Sequence, residues 1–512
     1  MFNQKSRSEN IAKSSAAGAV CKVLNLGMGF IYRTVFLHFL SAAYLGLDST
    51  FANILSVLSF ADLGIGAVIS FRMYEPISLG DSAKVGQYMR FYRKIYFIVA
   101  LIILSAGAVL LPFLDWFIKD ASEIPADVNI RVIFVLFLLR TVSSYLFVTP
   151  QMLLGADQKQ YMLSLFETLI KLLTYAAQIV VLALTHNFTF CLTLGIFITI
   201  VCNIIISSRI RRKYSDVFNV KEDISSAERK GIFSDTTATL CHKVGSTLVL
   251  STDSIILSRF AGLVATGLYA NYYLILSGLG GVFFQMFTGI ASSFGNAHFT
   301  AGVDERYKTY KRLLFLNFWS AGLCTVCLML LLSDFITIWL GKNMVLDRLT
   351  VIAVCIQFFL EATRWTTNSY ISGAGYFTKD KLRPFIESAV NIVVSIVLVI
   401  KIGIAGVFIG TIVAHLCTAT WREPYIVYKY EFKRPVWEFW RYFAVFFLAT
   451  VLISAALAWL KAAVGFECTN FILWLLEGIV CAAVYILVTL AVLSGNEDMG
   501  FFISTLKKKL GR

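Results

Sequence analysis

Charge is what this sequence has least of. Charged residues make up 15% of its 512 positions, where a soluble domain averages about 25%. Hydrophobic residues reach 58% and mean hydropathy is +0.75, which excludes an ordinary soluble domain and points to a membrane protein. Large hydrophilic loops are lacking too. The longest outer connection, 112–129, holds Asp115, Asp120, Glu123 and Asp127 among apolar residues, in the manner of an interfacial segment. The longest inner connection, 209–230, has no glycine loop that could cradle a phosphate, and no His/Cys spacing suits a metal. With no room for a catalytic domain, an enzyme is not expected. The ten cysteines lie mostly inside apolar runs, as small buried thiols. Cys324 and Cys327 form a CxxC, but no second pair or βαβ context gives it redox or zinc meaning. No signal peptide is evident, and the first apolar run is expected to remain as the first helix.

What is present is apolar sequence in runs long enough to cross a bilayer. They number about fourteen, near 12–40, 47–71, 87–111, 130–149, 161–184, 188–208 and 231–258, then 265–294, 310–332, 349–372, 384–400, 403–425, 439–460 and 471–493. An even number puts both ends on one side. Connections on that side carry roughly 32 Lys/Arg against about 7 opposite, so both termini are expected in the cytoplasm. The net charge of +14 then needs no nucleic acid. Arg209, Arg211, Arg212 and Lys213, and the tail Lys507 to Lys509, read as positive-inside anchors beside membrane lipid.

Slid against itself, the chain repeats weakly. At an offset of 221 residues, Lys22 falls on Lys243, Phe39 on Phe260, Gly46 on Gly267, Leu47 on Leu268 and Ile69 on Ile290. Small shifts align Tyr92, Arg93, Lys94 with Tyr310, Lys311, Arg312, then Gly155, Ala156 with Gly373, Ala374, and Lys159, Glu167 with Lys379, Glu387. A six-helix unit occurring twice keeps its orientation. The expected fold is therefore an all-α polytopic membrane protein: two parallel-repeat lobes, residues 1–220 and 221–435, facing a central space, with an appended helix pair and basic tail at 436–512. Two such lobes can rock, which suggests a transporter.

Ionisable residues inside these runs are expensive and mark function or internal pairs. At 100° per residue several align: Lys22, Asn25, Gly29 and Arg33 in the first run, and His242, Ser246 and Asp253 beside Lys243 in the seventh. The tenth gives Gln357, Glu361, Arg364 and Asn368, the fourth Arg140, Ser143, Ser144 and Gln151, the fifth Glu167, Lys171 and Gln178, and the second Asp62. Glu167/Lys171 and Glu361/Arg364 have spacings at which each pair can neutralise itself, Arg33 can snorkel, and Asp253 can pair with Lys243. What remains is cationic, with Lys22 and Lys243 at equivalent places in the two lobes. A cationic space suits a phosphate or diphosphate. Asp253, with His242, is the expected carrier of a coupling ion, H+ or Na+, and Asp62 and Glu361 are further candidates.

Three stretches carry a family resemblance: "FADLGIGAVISFRMYEPI", "LLGADQKQYM" and "KIGIAGVFIGTIVAHLCTATWREPYIVYKYEFK". With them, nearly the whole chain resembles the oligosaccharide flippases and polysaccharide exporters of the multidrug/oligosaccharidyl-lipid/polysaccharide (MOP) superfamily. The resemblance implies a bacterial cytoplasmic-membrane transporter. Such a protein flips a polyprenyl-diphosphate-linked oligosaccharide by alternating access, alongside a polysaccharide polymerase and glycosyltransferases. By analogy, Lys22, Arg33, Arg140, Lys243 and Arg364 would meet the head group, and the appended pair would border the lipid tail. The alternatives are a multidrug or organic-cation exporter of the same superfamily, expected to have about twelve helices and an acidic cavity, and a lipid II flippase. A non-transporting scaffold leaves the aligned polar stripes unexplained.

Overall fold

The structure, a computed structural model, describes residues 7–59, 64–493 and 495–509. Helices make up most of them, with no strand among them. Two compact units divide the chain, Met1–Ala270 and Asn271–Arg512. The division thus falls fifty residues beyond position 220, where the repeat puts its boundary.

The first unit contains α1 (Arg7–Phe39), α2 (Ala42–Leu58), α3 (Ile65–Leu79), α4 (Ser82–Leu110), α5 (Ile130–Ala156), α6 (Gln160–Thr185), α7 (Phe188–Lys213), the short α8 (Ser215–Phe218) and α9 (Ser226–Phe260). Helix α10 (Leu263–Thr300) begins in this unit and continues into the second. The second unit goes on with α11 (Val303–Leu340), α12 (Arg348–Ala362), α13 (Trp365–Gly373), α14 (Arg383–Ile402), α15 (Ile404–Cys417) and α16 (Ala419–Ile426). A π-helical turn, Val427–Phe432, precedes α17 (Trp437–Val464), α18 (Phe471–Val492) and α19 (Glu497–Lys509). Over the described residues each of the fourteen apolar runs coincides with helix, and eleven spans among them are long and apolar enough to cross a membrane. The second, tenth and twelfth runs are each divided between two helices.

Sequence explains the ends and faces of these helices. Asn129, Asn187, Asp347 and Asn470 accept bonds from N–H groups of the first turns of α5, α7, α12 and α18, and Ser225 with Glu228 forms a capping box for α9. Leu165, Leu169, Leu172, Val180 and Leu184 lie exposed along α6, a face suited to lipid rather than water. The acidic 112–129 connection is folded onto the ends of α9 and α10. Glu123 accepts the N–H of Leu263, Lys119 N–H donates to Ser258 O (3.0 Å), and Tyr44 donates to Asp127.

One close contact carries the signature of the repeat. A Cβ added at Gly46 would lie 1.9 Å from the carbonyl oxygen of Leu263, and one at Gly267 would lie 2.0 Å from that of Ala42. Ala42 and Leu263 are separated by the same 221 residues as the two glycines. A local two-fold between repeats requires such reciprocity. Nearby, Ser49 Oγ meets Ser254 Oγ (3.1 Å) and Ser251 Oγ meets Ser56 Oγ (3.2 Å), fastening α9 to α2 by small polar side chains.

Candidate functional site

In the first unit the polar stripes partly converge. On α1, Asn25 Nδ2 donates to Thr168 Oγ1 of α6 (3.0 Å), and Tyr32 stacks on Tyr175 with ring centroids 4.6 Å apart. Arg33, one residue on, shares an electrostatic environment with Tyr175 and with Asp48 of α2; Arg140 of α5 is the second cation near Asp48 and lies over the Phe137 ring at 4.7 Å. Asp48 is partly buried. Sequence reasoning missed it, because it is the single charge in "YLGLDSTFANIL". Lys22 is partly buried on α1. Asp62 and the side chains of His242 and Lys243 lie outside the described residues. Asp253 is buried on α9 and accepts a hydrogen bond from Tyr269 (3.1 Å).

Glu167 and Lys171 do not pair. Both are exposed, and with Gln151, Thr199, Asn203 and Tyr175 they line a cleft of about 320 Å3 among α5, α6 and α7. Gln151 Nε2 donates to Asn203 Oδ1 across it (2.9 Å).

The second unit buries charge instead. Asn317 of α11 is wholly buried; its Nδ2 donates to Ala362 O (2.8 Å) and its Oδ1 accepts the N–H of Thr366 (3.1 Å). The side-chain amide thus stands between two backbone groups that a continuous helix would join, and the helix breaks into α12 and α13 with Arg364 at the break. Arg364 does not pair with Glu361, as spacing suggested. Its guanidinium forks onto Glu423 of α16, Nη2–Oε1 at 2.7 Å and Nε–Oε2 at 3.2 Å, and its Nη1 lies 3.0 Å from His415 Nδ1 of α15 and 3.5 Å from Glu387 Oε1 of α14. A two-point guanidinium–carboxylate fork holds better than a single i,i+3 contact on one helix. Arg383 joins the same group through Asp380 (2.7 Å), Glu387 and Glu423 (3.4 Å), and His415 Nδ1 lies 2.7 Å from Glu387 Oε1. Helices α14 and α15 come close enough for this because Gly406 and Gly410 present no side chain to Leu398 and Ser395. A related cluster surrounds the buried Glu431, which accepts from Tyr370 (2.8 Å), Tyr376 (2.9 Å) and Arg306 (2.5 Å), with His298 Nδ1 3.1 Å away.

Among possible metal donors, Asp334, Cys468 and Glu477 come together. The ammonium of Lys461 already bridges Asp334 and Glu477, the latter at 2.6 Å.

Solved structures match this arrangement. The chain superposes on the lipid II flippase MurJ in an inward closed conformation with a TM-score of 0.68 at 13% identity, covering 93% of this chain and 99% of that one. The chain shares the fold of that flippase. An inward-facing multidrug resistance MATE family transporter of the MOP superfamily matches with a TM-score of 0.59 at 14% identity, over 79% of this chain and 95% of that one. A MATE structure in a bent conformation gives 0.51 at 14%, over 86% and 96%. Neither a protein-family model nor a curated sequence matches the chain. With eleven helices long and apolar enough to cross a membrane among the described residues, it is a multi-pass membrane protein that shares the fold of these solved structures.

Proposed function

We propose that the protein flips a polyprenyl-diphosphate-linked oligosaccharide across the bacterial cytoplasmic membrane by alternating access. The observation that carries this reading is the extent of the likeness to the lipid II flippase. It leaves about 7% of the chain, some 36 residues, uncovered, which is shorter than the stretch from α17 to α18, so that likeness reaches into the appended pair. The inward-facing MATE match leaves 21% uncovered. The cations of the first unit support the same cargo. Arg33 and Arg140 are the two cations in the electrostatic surroundings of one carboxylate, Asp48, and paired guanidinium groups suit a diphosphate. Lys22 on the same helix as Arg33 adds a point charge, with Lys243 as its counterpart by the repeat.

Proteoliposomes holding a fluorescent polyprenyl-diphosphate oligosaccharide test the proposal. Arg33→Ala and Arg140→Ala are expected to slow flipping about tenfold or more, the loss of one charge-assisted phosphate contact worth roughly 1.5–3 kcal/mol. Wild-type protein that leaves this lipid in place but moves an organic cation would overturn the reading in favour of an exporter. Selective flipping of lipid II over glycans of other composition would narrow the cargo to that lipid.

A further inference from the structure

We propose that His415 is a proton-binding site whose occupancy decides whether its ring nitrogen engages Arg364 or Glu387, and that this proton is the coupling ion; the coupling clause rests on the transport reading above. The geometry is a choice between two partners at one atom. His415 Nδ1 lies 3.0 Å from Arg364 Nη1 and 2.7 Å from Glu387 Oε1. A guanidinium only donates and a carboxylate only accepts. Bare Nδ1 therefore accepts from Arg364, whereas Nδ1–H donates to Glu387, and one nitrogen cannot do both.

Charge counting says why a proton belongs there. The group facing the ring comprises Arg364 at the α12/α13 break, Arg383 and Glu387 from α14, Glu423 from α16 and Asp380 from the turn before α14. Two cations thus face three carboxylates, and Glu361, an electrostatic neighbour of Arg364, adds to the negative side. Glu423 and Glu387 have side chains 1% and 5% exposed, a setting in which an uncompensated charge is costly. A protonated His415 supplies the missing positive charge. The proton adds to a ring already in contact with an acceptor.

Protonation also has a mechanical result. It withdraws His415 from Arg364, which remains forked on Glu423, so the tie between α15 and the broken helix is exchanged for one between α15 and α14. His298 meets Arg306 and Glu431 in the same way, but its side chain is 24% exposed against 6% for His415, which makes it a comparison with a more open histidine.

Nitrogen NMR of 15N-histidine-labelled protein in nanodiscs tests the site without any cargo. The protein has five histidines, and the signal missing from His415→Gln identifies His415. As pH falls, this signal is expected to pass from a ring with bare Nδ1 and Nε2–H to one with both nitrogens protonated, which a change of tautomer alone would not give. A signal that keeps one protonation state throughout overturns the proposal. Should His415→Gln fail to fold, His298→Gln and the other single histidine variants assign the signal by elimination. Glu387→Gln, which removes the negative charge beside the ring, should weaken proton binding at least tenfold, one pH unit; an unmoved transition is again a refutation. In proteoliposomes, wild-type flipping is expected to respond to an imposed pH gradient, and indifference overturns the coupling. Titration of His415 in a protein that flips no lipid-linked sugar supports the site and removes only the cargo.

Discussion

Replacing Arg364 by Leu puts the buried network to its severest test. The wild-type fork holds Glu423 by two bonds, 2.7 and 3.2 Å, and lies 3.5 Å from Glu387. Without it, Glu423 keeps Arg383 Nη2 at 3.4 Å as its remaining cation, with a side chain 1% exposed. Breaking a buried pair from one side costs about 3–5 kcal/mol, because the surviving charge is stranded away from water. Arg364→Lys keeps the charge but loses the planar fork, and about 1–3 kcal/mol is expected. The double variant Arg364→Leu/Glu423→Gln removes the stranded charge as well, so it should be more stable than the Arg364→Leu single variant, with a non-additive term of about 2 kcal/mol. Unfolding in mixed micelles with increasing SDS, followed by tryptophan fluorescence, measures all three together with the Glu423→Gln single variant that closes the cycle. A loss below about 1 kcal/mol for Arg364→Leu, or strict additivity in the double variant, would refute the reasoning.

Two further outcomes follow from other contacts. Gly46→Ala and Gly267→Ala each drive a methyl group against a carbonyl oxygen at 1.9 and 2.0 Å, so each should destabilise by about 1–3 kcal/mol or more; the same SDS titration should find both, and a neutral result at either site contradicts the reciprocal contact. At the basic end of the first unit, burial alone would raise the Glu228 carboxyl, but hydrogen bonds from Lys84, Ser225 and Tyr88 outweigh it and bring it down to about 2. A depressed carboxylate contributes stability above its unfolded value, near 4.3, and loses it as pH falls toward the folded one. Scaled down for partial exposure, about 2 kcal/mol should disappear between roughly pH 4.5 and 2, and Glu228→Gln should flatten that part of a pH–stability profile.

The helices were readable from sequence because lipid demands long apolar runs, and the cost of charge at depth made Arg33, Arg140 and Arg364 conspicuous. Their partners were not readable. Glu387, His415 and Glu423 follow Arg364 at separations of 23, 51 and 59 residues, on three other elements, and no periodicity links them. His415 and Glu423 do occur within the stretch "IVAHLCTATWREPYIVYKY", which identified the fold but gave no sign of pairing with the tenth run. The break at Arg364 was hidden for a similar reason: its cause, Asn317, lies on α11, 47 residues away. The repeat aligned Glu167 with Glu387, yet the first lines an open cleft and the second a filled network, because only the second unit brings arginines to that place.

The contact of Gly46 and Gly267 limits how α2 and the start of α10 can move past one another. Each glycine admits the other helix's carbonyl, and the positions that share its face one turn away, Ala43 and Thr50 on α2 and Leu263 and Val264 on α10, all carry a Cβ. A slide of one turn along either axis would set a carbonyl against a side chain. The crossing point is left free to turn and barred from travelling, which makes it a fulcrum.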